Sequence, residues 1–115
     1  MIKILHNPRC GKSREGLSLL EASKKSFEVI KYLDNPLTEN ELTLLIQKLN
    51  IAPIDLVRQK EKIWIEQFKG KNLSDNEIIM AITANPILLE RPIVIHENKA
   101  VIGRPPEKII AFLKK

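Results

Sequence analysis

The segment Ile2-Lys3-Ile4-Leu5-His6-Asn7-Pro8-Arg9-Cys10-Gly11-Lys12-Ser13-Arg14 decides how the rest of the chain reads. Ile2 to His6 is a short apolar run stopped by Asn7-Pro8, the pattern of a buried strand ending in a turn. A helical pattern begins at Ser13, with Leu17, Leu20 and Ala22 facing inward. Phe27 to Leu33 is β-branched and aromatic enough for a second strand, closed by Asp34-Asn35-Pro36. These pieces form a βαβ unit of ordinary size, so the two strands should run parallel.

Outward from that unit the middle of the chain turns helical. Thr38 and Glu41 form a capping box, and Leu42, Leu45, Ile46 and Leu49 fall on one helical face. Ile54 to Gln59 reads as a short helix, and Ile63 to Phe68 as another ending near Gly70. Ser74 and Glu77 make a second capping box before Ile78, Ile79 and Ile82, in a helix that must stop by Asn85-Pro86. Strands then return. Pro92 to His96 and Ala100 to Ile102 flank Glu97-Asn98-Lys99, a hairpin with Asn98 at a turn position. Gly103 precedes Arg104-Pro105-Pro106-Glu107, a helix start with proline in the first turn, and Ile109, Ile110 and Leu113 supply that helix's apolar side. The order βαβ, helical insert, ββα predicts an α/β protein with a thioredoxin-like mixed four-stranded sheet. A single domain over 1–115, with an all-helical insertion at about 38–85, is the expected organisation.

Composition narrows the function. The 115 residues, 43% of them apolar, suffice for a core without disulfide or metal staples. No apolar run approaches the roughly 20 residues needed to cross a bilayer, and the first residues lack a secretory pattern. A cytoplasmic, monomeric protein with no membrane partner is the expectation. The net charge of +5 favours an anionic partner, but the basic residues are dispersed and only 4% of residues are aromatic. That argues against nucleic acid, and net charge alone does not choose between a membrane surface and a small oxyanion. One cysteine and two histidines, His6 and His96, build neither an internal disulfide nor a metal site, and no bound cofactor is expected.

Cys10 lies between a strand end and a helix start, where exposed N–H groups and the positive helix end favour thiolate over thiol. Arg9, Lys12 and Arg14 add positive charge. A buried, inert cysteine would not usually be ringed by three cations and a glycine. The motif is Cys-x-x-Ser, so any disulfide chemistry needs a thiol from outside the chain. Two other patterns are chance matches. Gly11-Lys12-Ser13 lacks the phosphate-loop glycine, since His6 stands there, and Asn72-Leu73-Ser74 is a sequon in a chain expected to stay in the cytoplasm.

The run His6 to Arg14 resembles the active-site loop of the glutathione- and glutaredoxin-dependent arsenate reductases. The resemblance continues through Tyr32-Leu33-Asp34-Asn35-Pro36, Leu56-Val57-Arg58-Gln59-Lys60, Asn85-Pro86-Ile87-Leu88, Glu90-Arg91-Pro92-Ile93-Val94 and Gly103-Arg104-Pro105-Pro106-Glu107. It implies that the Cys10 thiolate attacks arsenate, giving a cysteine–arsenic adduct that glutathione and glutaredoxin resolve to arsenite. Three arginines that hold the oxyanion in the family fall on Arg58, Arg91 and Arg104. Planar guanidinium donors suit tetrahedral oxygens and offset the repulsion between thiolate and anion. The resemblance gives His6 a supporting role toward the ionised cysteine, by charge or hydrogen bonding, and implies a cis Pro92. Ser13 would bond the thiolate or cap the helix; Asn7, Gly11 and Arg14 support the loop; His96 reads as surface.

Two alternatives share this layout. One is a glutathione-linked reductase of another substrate, since the Arg9–Arg14 and Ile102–Pro106 stretches look closer to that branch of the family. The other is a redox-responsive, RNA polymerase-binding regulator, whose sensor is usually Cys-x-x-Cys where this chain has Ser13.

Overall fold

A run of apolar residues becomes a central strand when both its neighbours can pair with it. In the computed structural model, which describes residues 1–114, β1 (Ile2–Leu5) occupies that position. It pairs in parallel with β2 (Phe27–Ile30) and antiparallel with β3 (Ile93–His96), which pairs antiparallel with β4 (Lys99–Ile102). The sheet order is β2-β1-β3-β4. This is the mixed four-stranded, thioredoxin-like α/β sheet that the sequence predicts.

The chain divides into two compact units, one formed by Met1–Asn35 and the residues from Arg91 onward, the other by Pro36–Glu90. The first holds the sheet with α1 (Gly11–Ala22) and α5 (Glu107–Leu113). Ile2, Ile4 and Val94 from the sheet pack with Leu20 of α1 and Ile109 of α5, all buried, and Leu17, Phe27, Val101, Phe112 and Leu113 close around them. Burial of such side chains, at about 25 cal/mol per Å², is what holds the helices on the sheet.

Several local readings are corrected. α1 begins at Gly11 rather than Ser13, because Cys10 takes the extended N-cap conformation. Ala22 and Ile110 are exposed; each lies just off the strip that reaches the sheet. β2 ends at Ile30, and the chain turns where a longer strand was expected, with the Asp34 and Asn35 N–H groups donating to the Lys31 carbonyl. Tyr32 is buried in that turn. The hairpin forms with Asn98 at a turn position, as read, and its left-handed residue is Glu97, at φ 58°.

The second unit contains α2 (Glu39–Leu49), α3 (Lys62–Gln67) and α4 (Asp75–Ala84). Both capping boxes form as predicted. Thr38 Oγ1 accepts from the Glu41 N–H at 3.2 Å while Glu41 Oε1 accepts from the Thr38 N–H at 2.9 Å, and Ser74 and Glu77 repeat the arrangement. Trp64 and Phe68 stack with ring centroids 5.3 Å apart. The short helix expected at Ile54–Gln59 is instead a 3-10 turn over Pro53–Leu56, after which Val57 is extended and bridges Leu89. Flanking hydrogen bonds, Arg58 N–H to Leu88 O at 2.7 Å and Glu90 N–H to Leu56 O at 2.9 Å, fix that pairing and outweigh helix propensity. Among the described residues no helix is long and apolar enough to cross a membrane.

Candidate active site

Strand register brings four separate segments to one end of the sheet. Leu5 pairs with Ile30 in parallel and with Ile93 antiparallel, and Ile93 pairs with Ile102. Whatever follows β1, β2 and β4, and whatever precedes β3, must therefore share that end. The four segments are the Cys10 loop, Lys31–Asp34, Arg91-Pro92 and Gly103-Arg104.

The Cys10 loop is held from inside. The Cys10 N–H donates to Asn7 O at 3.0 Å, closing a four-residue turn. Asn7 Oδ1 accepts from the Arg9 N–H at 3.0 Å, and Arg14 Nη1 donates to Pro8 O at 2.9 Å. Asn7 and Arg14 thus hydrogen-bond within the loop. A Cβ added at Gly11 would meet only Arg14 Nη2, at 3.9 Å.

Ser13 is fully buried, and its hydroxyl faces away from the expected role. Its Oγ accepts from the Asn7 N–H at 3.0 Å and lies 2.7 Å from His6 Nδ1. Burial, followed by the charge of Lys31, pulls the His6 pKa below its ordinary value; a hydrogen bond with the Ser13 backbone opposes it, and Arg14 acts in the lowering direction. With one Oγ lone pair taken by Asn7, the arrangement fits a Ser13 hydroxyl donating to Nδ1 of a neutral imidazole protonated at Nε2. The side chain that His6 bonds is Ser13. No side-chain bond caps α1 at Cys10, so the Ser13 contribution to the thiol comes from its backbone N–H.

Burial pushes the Cys10 thiol up, but opposing effects outweigh it. The backbone N–H groups of Ser13 and Lys12, together with a hydrogen bond and charge from Arg91, leave its pKa below the ordinary value. Arg91 is buried, at 4% exposure. Arg104 Nη1 stands 4.0 Å from Cys10 Sγ and donates to Arg91 O at 3.1 Å. Two of the three predicted arginines therefore converge on the thiol. Arg58 belongs to the other unit, where its Nε donates to Glu61 Oε2 at 3.0 Å. His96 is exposed, as read.

The Arg91–Pro92 peptide is cis, as the resemblance implies, and Arg104–Pro105 is cis as well, which no sequence signal announced. The Pro92 ring sits against two glycines. A Cβ on Gly16 would lie 2.7 Å from Pro92 Cγ, and one on Gly103 would lie 3.0 Å from the same atom. Gly16 escaped the sequence reading. A glycine inside a helical pattern, costing about 1 kcal/mol relative to alanine, was the signal that could have found it. Among the described residues no group of three or more His, Cys, Asp or Glu side chains is placed to hold a metal ion.

Comparison with known proteins identifies the family. The ArsC family model matches residues 5–112. An arsenate reductase of Neisseria meningitidis is 46% identical over 114 residues, covering 97% of both chains. The Escherichia coli protein YfgD, whose function is uncharacterized, is 43% identical over 114 residues, covering 97% of this chain and 96% of its own. The solved arsenate reductase from Vibrio cholerae superposes with a TM-score of 0.91 at 40% identity, covering 96% of this chain and 95% of that one. With the Cys10 loop, the two arginines at its thiol and a family match over nearly its whole length, the chain belongs to the ArsC family.

Proposed function

We propose that this chain is an oxidoreductase that reduces arsenate to arsenite, with Cys10 as the nucleophile. The observation that carries the reading is the convergence of Arg91 and Arg104 on a thiol already favoured as thiolate by the first turn of α1. A dianion can approach a thiolate only where positive charge offsets their repulsion, and these two guanidinium groups supply it.

The Cys10 thiolate attacks arsenic and forms the S–As bond. One arsenate oxygen departs as hydroxide or water, its proton coming from arsenate or solvent. The N–H groups of Lys12 and Ser13 and the Arg91 side chain stabilise Cys10 before attack and again when it leaves. His6, Ser13, Asn7 and Arg14 hold the loop in which it sits. The chain has no second cysteine, so both reducing equivalents come from outside. Glutathione attacks arsenic and displaces a second oxygen as water, and the glutaredoxin thiolate then takes the glutathionyl sulfur as a mixed disulfide, breaking the S–As bond and leaving its electron pair on arsenic, now As(III); water displaces the Cys10 thiolate. Arsenic departs as arsenite. Arg58 joins the oxyanion set on the resemblance alone. The proposal includes one working domain with a helical insertion at about 38–85, a cytoplasmic monomer, and neither a bound cofactor nor nucleic acid.

The test is arsenite formation from arsenate with glutathione, glutaredoxin and a recycling reductase, comparing the native chain with Cys10→Ser. Turnover that vanishes in the variant establishes substrate and nucleophile together. No turnover in either, with Cys10 still reacting as a low-pKa thiol, removes arsenate and leaves a reductase of another substrate. Arg58→Ala should raise the KM for arsenate several-fold, and an unchanged KM removes Arg58 from the set.

A further inference from the structure

Beside the Cys10 loop, within the unit that holds the sheet, lies a cavity of about 350 Å³ that the attack on arsenate does not use. His6 and Asn7 line it from the end of β1, Arg9 from the loop, and Lys31 and Asp34 from the turn after β2. The charges are arranged unevenly, with two exposed cations and one carboxylate around a half-buried Leu33. Among the described residues none of Arg9, Lys31 and Asp34 makes an ion pair with another side chain. The cavity therefore offers uncommitted charge of both signs next to the only thiol in the chain.

We propose that this cavity seats the external thiol that resolves Cys10: a small peptide-type thiol carrying free carboxylates and an α-ammonium group. A carboxylate would lie between Lys31 and Arg9, and the ammonium on Asp34, with the thiol directed along the loop to Cys10. The dimensions allow it. The turn closed by Cys10 N–H to Asn7 O keeps the two α-carbons within about 7 Å, and an extended tripeptide spans roughly 10 Å. A thiol at the centre of such a peptide stands about 5 Å along the backbone from the anchored carboxylate, plus its own side chain, a reach comparable with the width of the turn. The proposal rests on the thiol chemistry of the preceding section but not on arsenate.

Glutathione disulfide tests it without arsenate. The Cys10 thiolate attacks one sulfur of the disulfide, the Cys10–glutathione bond forms, the original S–S bond breaks, and one glutathione thiolate leaves with the electron pair. Hydroxyethyl disulfide undergoes the same exchange but carries no charge. Second-order rate constants for both would be measured by mass spectrometry on the native chain and on Lys31→Ala, Lys31→Glu and Asp34→Asn. The expected result is a three- to fivefold fall with glutathione disulfide in Lys31→Ala and a larger one in Lys31→Glu. Asp34→Asn should also slow it, and hydroxyethyl disulfide should stay within twofold throughout. A ratio of the two rates that is unchanged by all three substitutions would overturn the site. Loss of reaction with both disulfides would instead indict Cys10 reactivity itself, and with it the thiol mechanism.

Discussion

Replacing Gly16 by alanine sets two known effects against each other. Inside a helix the substitution should gain about 0.8–1.0 kcal/mol from backbone propensity. Here the new Cβ would stand 2.7 Å from Pro92 Cγ, 3.0 Å from Ile109 Cδ1 and 3.3 Å from Pro92 Cβ. The isoleucine methyl can rotate aside, but the proline ring is fully buried and has no rotamer to escape into. Overpacking of a buried site costs about 1–3 kcal/mol. At the middle of that range the clash should win by about 1 kcal/mol, lowering Tm by roughly 4–5 °C for a chain of this size. Gly11→Ala is the internal control, since its Cβ meets only one atom at 3.9 Å, and it should be neutral or slightly stabilising. Thermal and urea unfolding followed by circular dichroism measure both. A Gly16→Ala chain as stable as the native one would refute the claim that this glycine exists to admit Pro92.

Three further outcomes follow from the same site. Iodoacetamide alkylation of Cys10 as a function of pH should show a midpoint below that of a free thiol, and Arg91→Ala should move it upward; an unmoved midpoint removes Arg91 as a thiolate partner. Ser13→Ala deprives the Asn7 N–H and His6 Nδ1 of their buried partner and should cost about 1–3 kcal/mol. The alkylation midpoint should hardly change, because the Ser13 backbone N–H remains. For His6, the folded-state pKa is lowered, so the unfolded chain binds more protons on acidification. Its contribution to stability is present above the unfolded value near 6.5 and is lost as pH falls through the folded value. Unfolding free energy should fall between pH 7.5 and 5, with a shallower slope in His6→Gln. Equal slopes would show that His6 is not buried in its neutral form.

Much of the fold was written locally. The Ile2–His6 run, the turn at Asn7-Pro8 and the two capping boxes each need only residues within one turn of themselves, so their chemistry is visible in a linear reading. Where long-range pairing competed with local preference, the reading failed. Val57 looks helical beside Ile54 and Leu56 but is drawn straight by Leu89, more than thirty positions away.

The site divides along the same line. Sequence alone determined that Cys10 would sit at a helix N-terminus among cations, without a second thiol, because those features are set by its immediate neighbours. It also supplied candidate arginines, but gave no distances among them. Tertiary structure decided that Arg91 and Arg104, far along the chain, meet the thiol, because the registers of β1, β3 and β4 carry their segments to one end of the sheet. It decided too that the Ser13 hydroxyl serves His6 rather than Cys10, and that Gly16 and Gly103 leave room for Pro92. Hydrogen-bond direction and steric clearance depend on three-dimensional approach, which spacing along a chain does not specify.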